Sequence, residues 1–434
     1  LAALYLQVFI VSQMVCQCAL LVEAFSPLRI VLRTAAFGLS LAALVFIPGN
    51  NRVHPATPYM AASLFILTLG LVHPNTNTLV SALGQIGLYL AIVAPLWWAC
   101  RLNITPTVSR RVFLIYWIFA TLGAGVGVLQ ASFPGRFQPA LSKNLRDELK
   151  EGLKITLANG QRVYRPMGLT DYPGGAAAAG GGAVIFSLAF LTQRRNPFLR
   201  WLAVGSMMLG LFCLLLCQVR AALIMAGINT FVYLGVLLWR GEFGKTTGAL
   251  AVIGAVVAVT FAWAFSVGGG VVTKRLNSLV ENQAAEVYYS NRGRFLEHTL
   301  TDLLPSYPLG AGLGRWGMIN QYFADNSLPD SYPIWAEIQW TGWVIDGGAP
   351  LVLSYSAALA AACWAAWRIS ASRLSSELAG QGAILLASNL AAVASTFSYP
   401  IFISQGGLEI WLLNAVVFTA ACIAARDARI RKVA

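Results

Sequence analysis

Arginine inside an apolar stretch is the sharpest chemical signal in this sequence. In LFCLLLCQVRAALIMAGINTFVYL, Arg220 stands between two hydrophobic runs with no turn residue beside it. A guanidinium stays charged at any physiological pH, and an apolar setting is costly for it unless it is paired or solvated. That suits it to holding an anion, although an arginine snorkelling to lipid headgroups would leave the same trace. Arg292 and Arg294 in YYSNRGRFLEH form a second cationic point, and Arg162 with Arg165 in NGQRVYRPMGL a third. Forked guanidiniums grip phosphate oxygens at two points, so arginines drawn from different loops suit a diphosphate.

The acids that could act as a general base share one segment. Glu297, Asp302, Glu337 and Asp346 all fall within residues 268–348, with His298 beside Glu297. Glu337 is set apart by Ile334, Trp335, Ala336, Ile338 and Trp340, neighbours able to desolvate it. Burial would raise its pKa toward the range in which a carboxylate takes a proton from a hydroxyl. Pairing with one of the arginines is the competing expectation. Trp316, Tyr322, Trp335, Trp340 and Trp343 could stack on sugar faces or form an interfacial aromatic belt. PLGAGLGRWG, with Gly310, Gly312 and Gly314, has the spacing of a dinucleotide fingerprint without its strand or βαβ context. A turn that brings backbone N–H groups close to a ligand or a helix end is the better reading.

These residues must be positioned by apolar helices. Of the 434 residues, 57% are hydrophobic and 11% charged, against roughly 45–50% and 25% in a typical soluble domain. Apolar spans fall at 3–25, 33–48, 58–73, 78–99, 112–132, 175–192, 200–218, 221–239, 247–267, 348–367, 381–403 and 407–425. The expected class is all-α, a polytopic bundle of about 12 transmembrane helices, since a span needs roughly 20 residues. A bilayer core cannot hydrogen-bond a bare backbone, and the runs lack the alternation of barrel strands. The resulting order is spans 1–5 over residues 1–132, a loop at 133–174, spans 6–9 over 175–267, the large loop 268–348, then the last three spans and tail over 349–434. The chain begins at Leu1 without Met or a basic n-region, so a few preceding residues are expected.

Charge distribution orients the spans. Arg52, Arg101, Arg110, Arg111, Arg194, Arg195, Arg200, Arg240, Lys245, Arg368, Arg373, Arg426, Arg429, Arg431 and Lys432 share one side with only Glu242, Glu377 and Asp427. That side is cytoplasmic, with both termini, and the two long loops are extracytoplasmic. Arg29 and Arg33 fall on the outer side, a minor conflict. Positive-inside loops thus account for the net charge of +13 without nucleic acid. The 133–174 loop contains LSKNLRDELKEGL, whose Leu141, Leu145, Leu149 and Leu153 repeat as in an amphipathic helix. Before VIFSLAFL, GGAAAAGGG reads as a closely packed helix rather than a hinge. The seven cysteines form no CxxC pair and the three histidines are dispersed, so neither a disulfide framework nor a metal centre is expected.

Taken together, QVRAA with Arg220, RGR with Arg294, the PLGAGLG turn and WAEIQWTGWVIDGGAPLVL resemble the O-antigen ligase and O-antigen polymerase superfamily. These are membrane glycosyltransferases of the GT-C type that act on undecaprenyl-diphosphate-linked glycans. RVYRPMGLTDYPGGAAAA resembles the family's Arg…Gly…Pro loop before a helix, and implicates Arg165 and Gly168. The resemblance implies an enzyme of the bacterial inner membrane with a periplasmic active site. It would transfer the glycan to an acceptor sugar hydroxyl in one inverting displacement, without metal or other cofactor. Arg220 and Arg294, helped by Arg165 or Arg292, would hold the diphosphate. Where the family has a His-Asn pair, this chain reads Ala336-Glu337-Ile338, so Glu337 takes the histidine's role or the base lies elsewhere. The departure favours an O-antigen or exopolysaccharide polymerase, whose acceptor is a lipid-linked repeat unit, over a ligase acting on lipid A core in lipopolysaccharide synthesis.

Glycan, acceptor, membrane lipids and the polysaccharide export machinery are the partners this reading carries. A transporter of lipid-linked glycan or anions would also explain many spans and outer cations. Transporters commonly show internal repeats and midplane binding residues, whereas no clear repeat links the two halves and the polar candidates lie outside. A non-catalytic membrane scaffold is the third alternative.

Overall fold

A computed structural model of the chain describes residues 2–49, 52–138, 154–156, 162–170, 172, 174–192, 196–280, 286, 288–327, 333–372 and 374–433. About 80% of the described residues are helical. Nine helices among the described residues are long and apolar enough to cross a membrane: Arg29–Phe46, Leu79–Arg101, Pro106–Ser132, Pro197–Cys217, Arg220–Trp239, Phe243–Ser266, Gln339–Ser370, Ser376–Ser395 and Gln405–Ile430. Three shorter apolar helices, Leu4–Ala19, Thr57–Val72 and Gly175–Leu191, fall on the first, third and sixth expected spans. The protein is therefore a multi-pass α-helical membrane protein. The described residues also include a two-stranded antiparallel ribbon, Lys154–Thr156 with Arg162–Tyr164, in the register Lys154 to Tyr164. The amphipathic stretch expected from Leu141 to Leu153 lies outside the described residues.

Both edges of the large loop move. The helix expected to end at 267 runs from Phe243 to Val280. Hydropathy sees only its apolar part, while helix propagation adds one hydrogen bond per residue beyond it. At the other edge the helix begins at Gln339 rather than 348 and is interrupted at Gly348, whose φ of 60° and ψ of −153° are not helical. The expected start thus marks the second of two segments. Pro350 falls in the first turn of that segment, where a missing N–H costs nothing. The span expected to reach 403 ends at Ser395, and Pro400 lies just beyond it.

The described chain forms two compact units. One comprises Leu1–Ala36, Pro106–Ala284 and Ser370–Ala387; the other comprises Phe37–Thr105, Ala285–Ile369 and Ser388–Ala434. At the heart of the first unit is Gly175–Leu191, packed against Pro106–Ser132, Pro197–Cys217 and Arg220–Trp239. Its small residues allow that approach. A Cβ on Gly180 would meet the Gly210 carbonyl oxygen at 2.9 Å, and one on Gly127 would meet the Ala176 Cβ at 2.6 Å. GGAAAAGGG is a packed helix, as its composition predicts. Trp117 Nε1 donates to Ser187 and Ser206 at 3.0 and 2.9 Å, adding polar links between helices.

In the second unit, Gln405–Val433 packs against Leu79–Val93 and Pro95–Arg101. Tyr355 lies among Trp343, Phe402 and Trp411, with ring centroids 4.7, 5.3 and 6.2 Å away. Asn389 and Asn414 exchange amide hydrogen bonds at 3.0 and 2.8 Å. Buried amides that satisfy one another link two helices without leaving an unpaired polar group.

Candidate functional site

In the first unit, Arg165 owes its place to a residue distant in sequence. Gln130, near the end of Pro106–Ser132, accepts from the backbone N–H of Met167 at 2.7 Å and of Gly168 at 2.8 Å, and donates to the Gly168 carbonyl at 3.1 Å. The turn is tight. Gly168 has φ +66°, and a Cβ there would meet the Gly123 carbonyl oxygen at 2.9 Å. The Pro166 carbonyl then accepts from Gly174 and Ala176, tying the turn to the start of the next helix. Arg165 is left half-buried, and its Nε is buried without a hydrogen-bond partner. Burial lowers its pKa from the usual arginine value, opposed by the nearby Cys217 and Tyr172. Since guanidinium remains charged regardless, that burial amounts to unmet solvation of a cation.

Arg220 arrives at the same end of this unit. Cys217 ends Pro197–Cys217, and Arg220 begins the next helix after the two-residue link Gln218-Val219. Gln218 adopts the left-handed conformation, with φ 54° and ψ 29°, at a cost of roughly 1–3 kcal/mol for a residue other than glycine. Val219 offers no side-chain cap to the new helix. Arg220 is half-buried, and its Nε too is buried without a hydrogen-bond partner. Arg162, by contrast, sits exposed on the ribbon, three residues before Arg165. The structure thus brings Arg165 and Arg220 to one end of the unit and separates Arg162 from their burial.

In the second unit, Glu337 lies between two donors. Arg292 Nη1 reaches its Oε2 at 2.5 Å, and Trp335 Nε1 reaches its Oε1 at 3.1 Å. About a quarter of the Glu337 side chain, 26%, is accessible, and Trp335 itself is 63% exposed. Glu337 therefore sits in an ion pair at a surface, not in the apolar enclosure that its neighbours suggested. Arg292 belongs to the π-helical turn Tyr289–Gly293. Arg294, which follows, is exposed and holds its guanidinium carbon 5.2 Å from the Phe295 ring centroid. His298 pairs with Asp302 at 2.7 Å, and Tyr289 donates to Glu297; both pairs are exposed.

The glycine turn serves the broken helix rather than an open pocket. Ala311 N donates to the Ile345 carbonyl at 2.7 Å, and Ala349 N donates to the Pro308 carbonyl at 2.9 Å. These bonds satisfy groups that the break at Gly348 frees. A Cβ on Gly312 would meet the Asn75 carbonyl oxygen at 2.4 Å, so Gly312 approaches the chain itself. Leu313 N donates to Thr76 Oγ1, and Asn77 N donates to the Leu313 carbonyl. Arg315, which sequence reasoning passed over, is buried and donates to the Ala311 carbonyl at 2.7 Å. Burial first, then Arg315, push the neighbouring His73 below its usual pKa.

Asp346 is the second residue whose role was not legible. It is 2% exposed and accepts from Trp316 Nε1, Gln85 Nε2 and Tyr89 Oη, each at 2.9 Å. All three neighbours donate, so the group is structural: it joins the helix break, the glycine turn and Leu79–Val93. The Arg315 carbonyl accepts from Ile334 N at 2.8 Å, and Gln339 N donates to the Thr396 carbonyl at 3.0 Å. The segment bearing Trp335 and Glu337 is thereby held at both ends. Of the stacking candidates, Trp316 and Trp343 are buried, Trp340 is half-buried and bonded to Thr396, and Trp335 and Tyr322 remain exposed. Among the described residues no group of three His, Cys, Asp or Glu could hold a metal ion. No protein-family model and no curated protein matches the chain.

Proposed function

We propose that this protein transfers an undecaprenyl-diphosphate-linked glycan to an acceptor sugar hydroxyl at the outer face of the inner membrane, as a polymerase-type glycosyltransferase. The observation that carries the reading is the pair Arg165 and Arg220, each with a buried Nε that makes no hydrogen bond. A buried donor left unsatisfied is costly, and a charged phosphate oxygen is the acceptor best matched to a guanidinium. The start of the Arg220–Trp239 helix adds the partial positive charge of its N-terminus. The three shorter apolar helices complete twelve spans in this reading, with both termini cytoplasmic.

The chemistry needs no nucleotide. The acceptor oxygen attacks C1 of the donor sugar, the C1–O bond to the diphosphate breaks, and undecaprenyl diphosphate leaves with the electron pair. Glu337 takes the acceptor proton. The residues that this reading assigns to the charge building on the leaving group are Arg165, Arg220, Arg292 and Arg294. A turn closed on its own chain makes Gly312 a scaffold rather than a ligand group. Exposed Trp335 is suited to stacking on a sugar face.

The test supplies purified protein in detergent with undecaprenyl-diphosphate oligosaccharide, without nucleotide or metal, and separates products by size. A ladder lost in both Arg220→Ala and Glu337→Ala supports polymerase chemistry. Product only on a lipid A core acceptor moves the assignment to a ligase. No product with any acceptor, alongside uptake of the lipid-linked glycan into vesicles, replaces the enzyme reading with the transporter.

A further inference from the structure

Both oxygens of Glu337 are engaged at once, and the partner on one of them is itself an anion-binding group. Arg292 contacts Oε2 through Nη1 alone, and the same Nη1 lies 3.3 Å from the Asn291 carbonyl oxygen. This is not the bidentate fork that makes arginine pairs strong. The two side chains are 36% and 26% accessible, so water reaches the pair and screens it. A diphosphate carries more charge and offers oxygens to both arms of the fork. Trp335 holds the other oxygen, so a Glu337 released by Arg292 stays tethered where it is.

We propose that the Arg292–Glu337 pair is a latch operated by the diphosphate of the donor substrate. The diphosphate takes Arg292, and only then is Oε2 of Glu337 open to accept a proton from the acceptor hydroxyl. The latch makes activation of the acceptor conditional on a bound donor, and it disfavours deprotonation of water at an empty site. This inference rests on the glycosyltransferase reading for its purpose, but its core claim is a competition between Glu337 and an anion for Arg292. That claim is measurable without turnover.

The experiment titrates inorganic pyrophosphate into the full-length protein in detergent by calorimetry, in an Arg165→Ala, Arg220→Ala background that removes both guanidiniums of the first unit. Glu337→Gln keeps an oxygen for Trp335 and removes the competing charge; it should tighten pyrophosphate about threefold to fivefold. Glu337→Ala should act in the same direction, guarding against a local effect of the amide. Arg292→Ala should weaken binding at least tenfold and abolish the effect of Glu337→Gln, the non-additivity of a directly coupled pair. Neutralising the exposed Glu297 by Glu297→Gln should leave affinity unchanged. The latch is overturned by unchanged affinity in Glu337→Gln, by equal tightening in Glu297→Gln, by tightening that survives Arg292→Ala, or by absence of pyrophosphate binding. Failure of the ladder assay with intact competition rejects the glycosyltransferase reading alone.

Discussion

A guanidinium is an unforgiving group to bury, and Arg165 and Arg220 each bury part of one. Their Nε groups are enclosed without hydrogen-bond partners, and retaining charge alone does not reproduce the fork. Arg220→Lys should therefore lower ladder formation about tenfold, and Arg220→Ala about 10²–10³-fold, as for loss of an oxyanion donor. At the same scale, His54 makes a prediction about pH. It lies in the link before Thr57–Leu69, 1% exposed, accepting from Ala56 N through Nδ1, with its ring 4.9 Å from Phe418. Burial pushes its pKa down to about 3 from the usual 6.5. Between those values the unfolded chain binds the extra proton, so the contribution is whole above pH 6.5 and is lost as pH falls. Thermal unfolding in detergent should show roughly 3 kcal/mol of destabilisation from pH 6.5 to 4. His54→Asn, which keeps an acceptor for Ala56 and does not titrate, should flatten that dependence.

At the scale of elements, the break at Gly348 is the feature on which the second unit's polar face depends. The backbone there, φ 60° and ψ −153°, is accessible essentially to glycine alone. A Cβ would stand 2.1 Å from the Pro308 carbonyl oxygen. Gly348→Ala is expected to destabilise the protein by about 3 kcal/mol or more, as a lowered unfolding temperature. Asp346→Asn should also destabilise, by about 1–3 kcal/mol, because an amide nitrogen would be placed among three donors. In the first unit, Gln130→Leu strips the Met167 and Gly168 N–H groups of their acceptor. Its consequence should appear as weaker donor binding, a raised KM with kcat less affected, since the turn carrying Arg165 is loosened.

For the whole molecule, the distribution of cations makes a topological prediction. Alkaline phosphatase fused after Ser327 should be active, and fused after Lys245 or Arg368 inactive, because only extracytoplasmic fusions fold. Activity at both sets, or the reverse pattern, would reject the orientation and with it a periplasmic site for Glu337.

What the sequence determined by itself was the part of the architecture that local composition controls. Runs of apolar residues with few charges demand helices in a bilayer whatever their neighbours are, and the nine membrane-length helices lie where those runs lie. The small residues of GGAAAAGGG likewise announced a packed helix. Helix ends beyond the apolar window, such as Val280 and Gln339, were not announced, because hydrogen bonding continues where hydropathy stops. The partners of polar groups were decided only in three dimensions. Gln130 meets the Arg165 turn from 37 residues away, Gln85 meets Asp346 from 261, and Glu337 meets Arg292 from 45. Neighbours in sequence left an apolar setting and an arginine partner both open for Glu337, because a side chain's environment is set by whatever the fold packs against it. Tertiary structure supplied an arginine there.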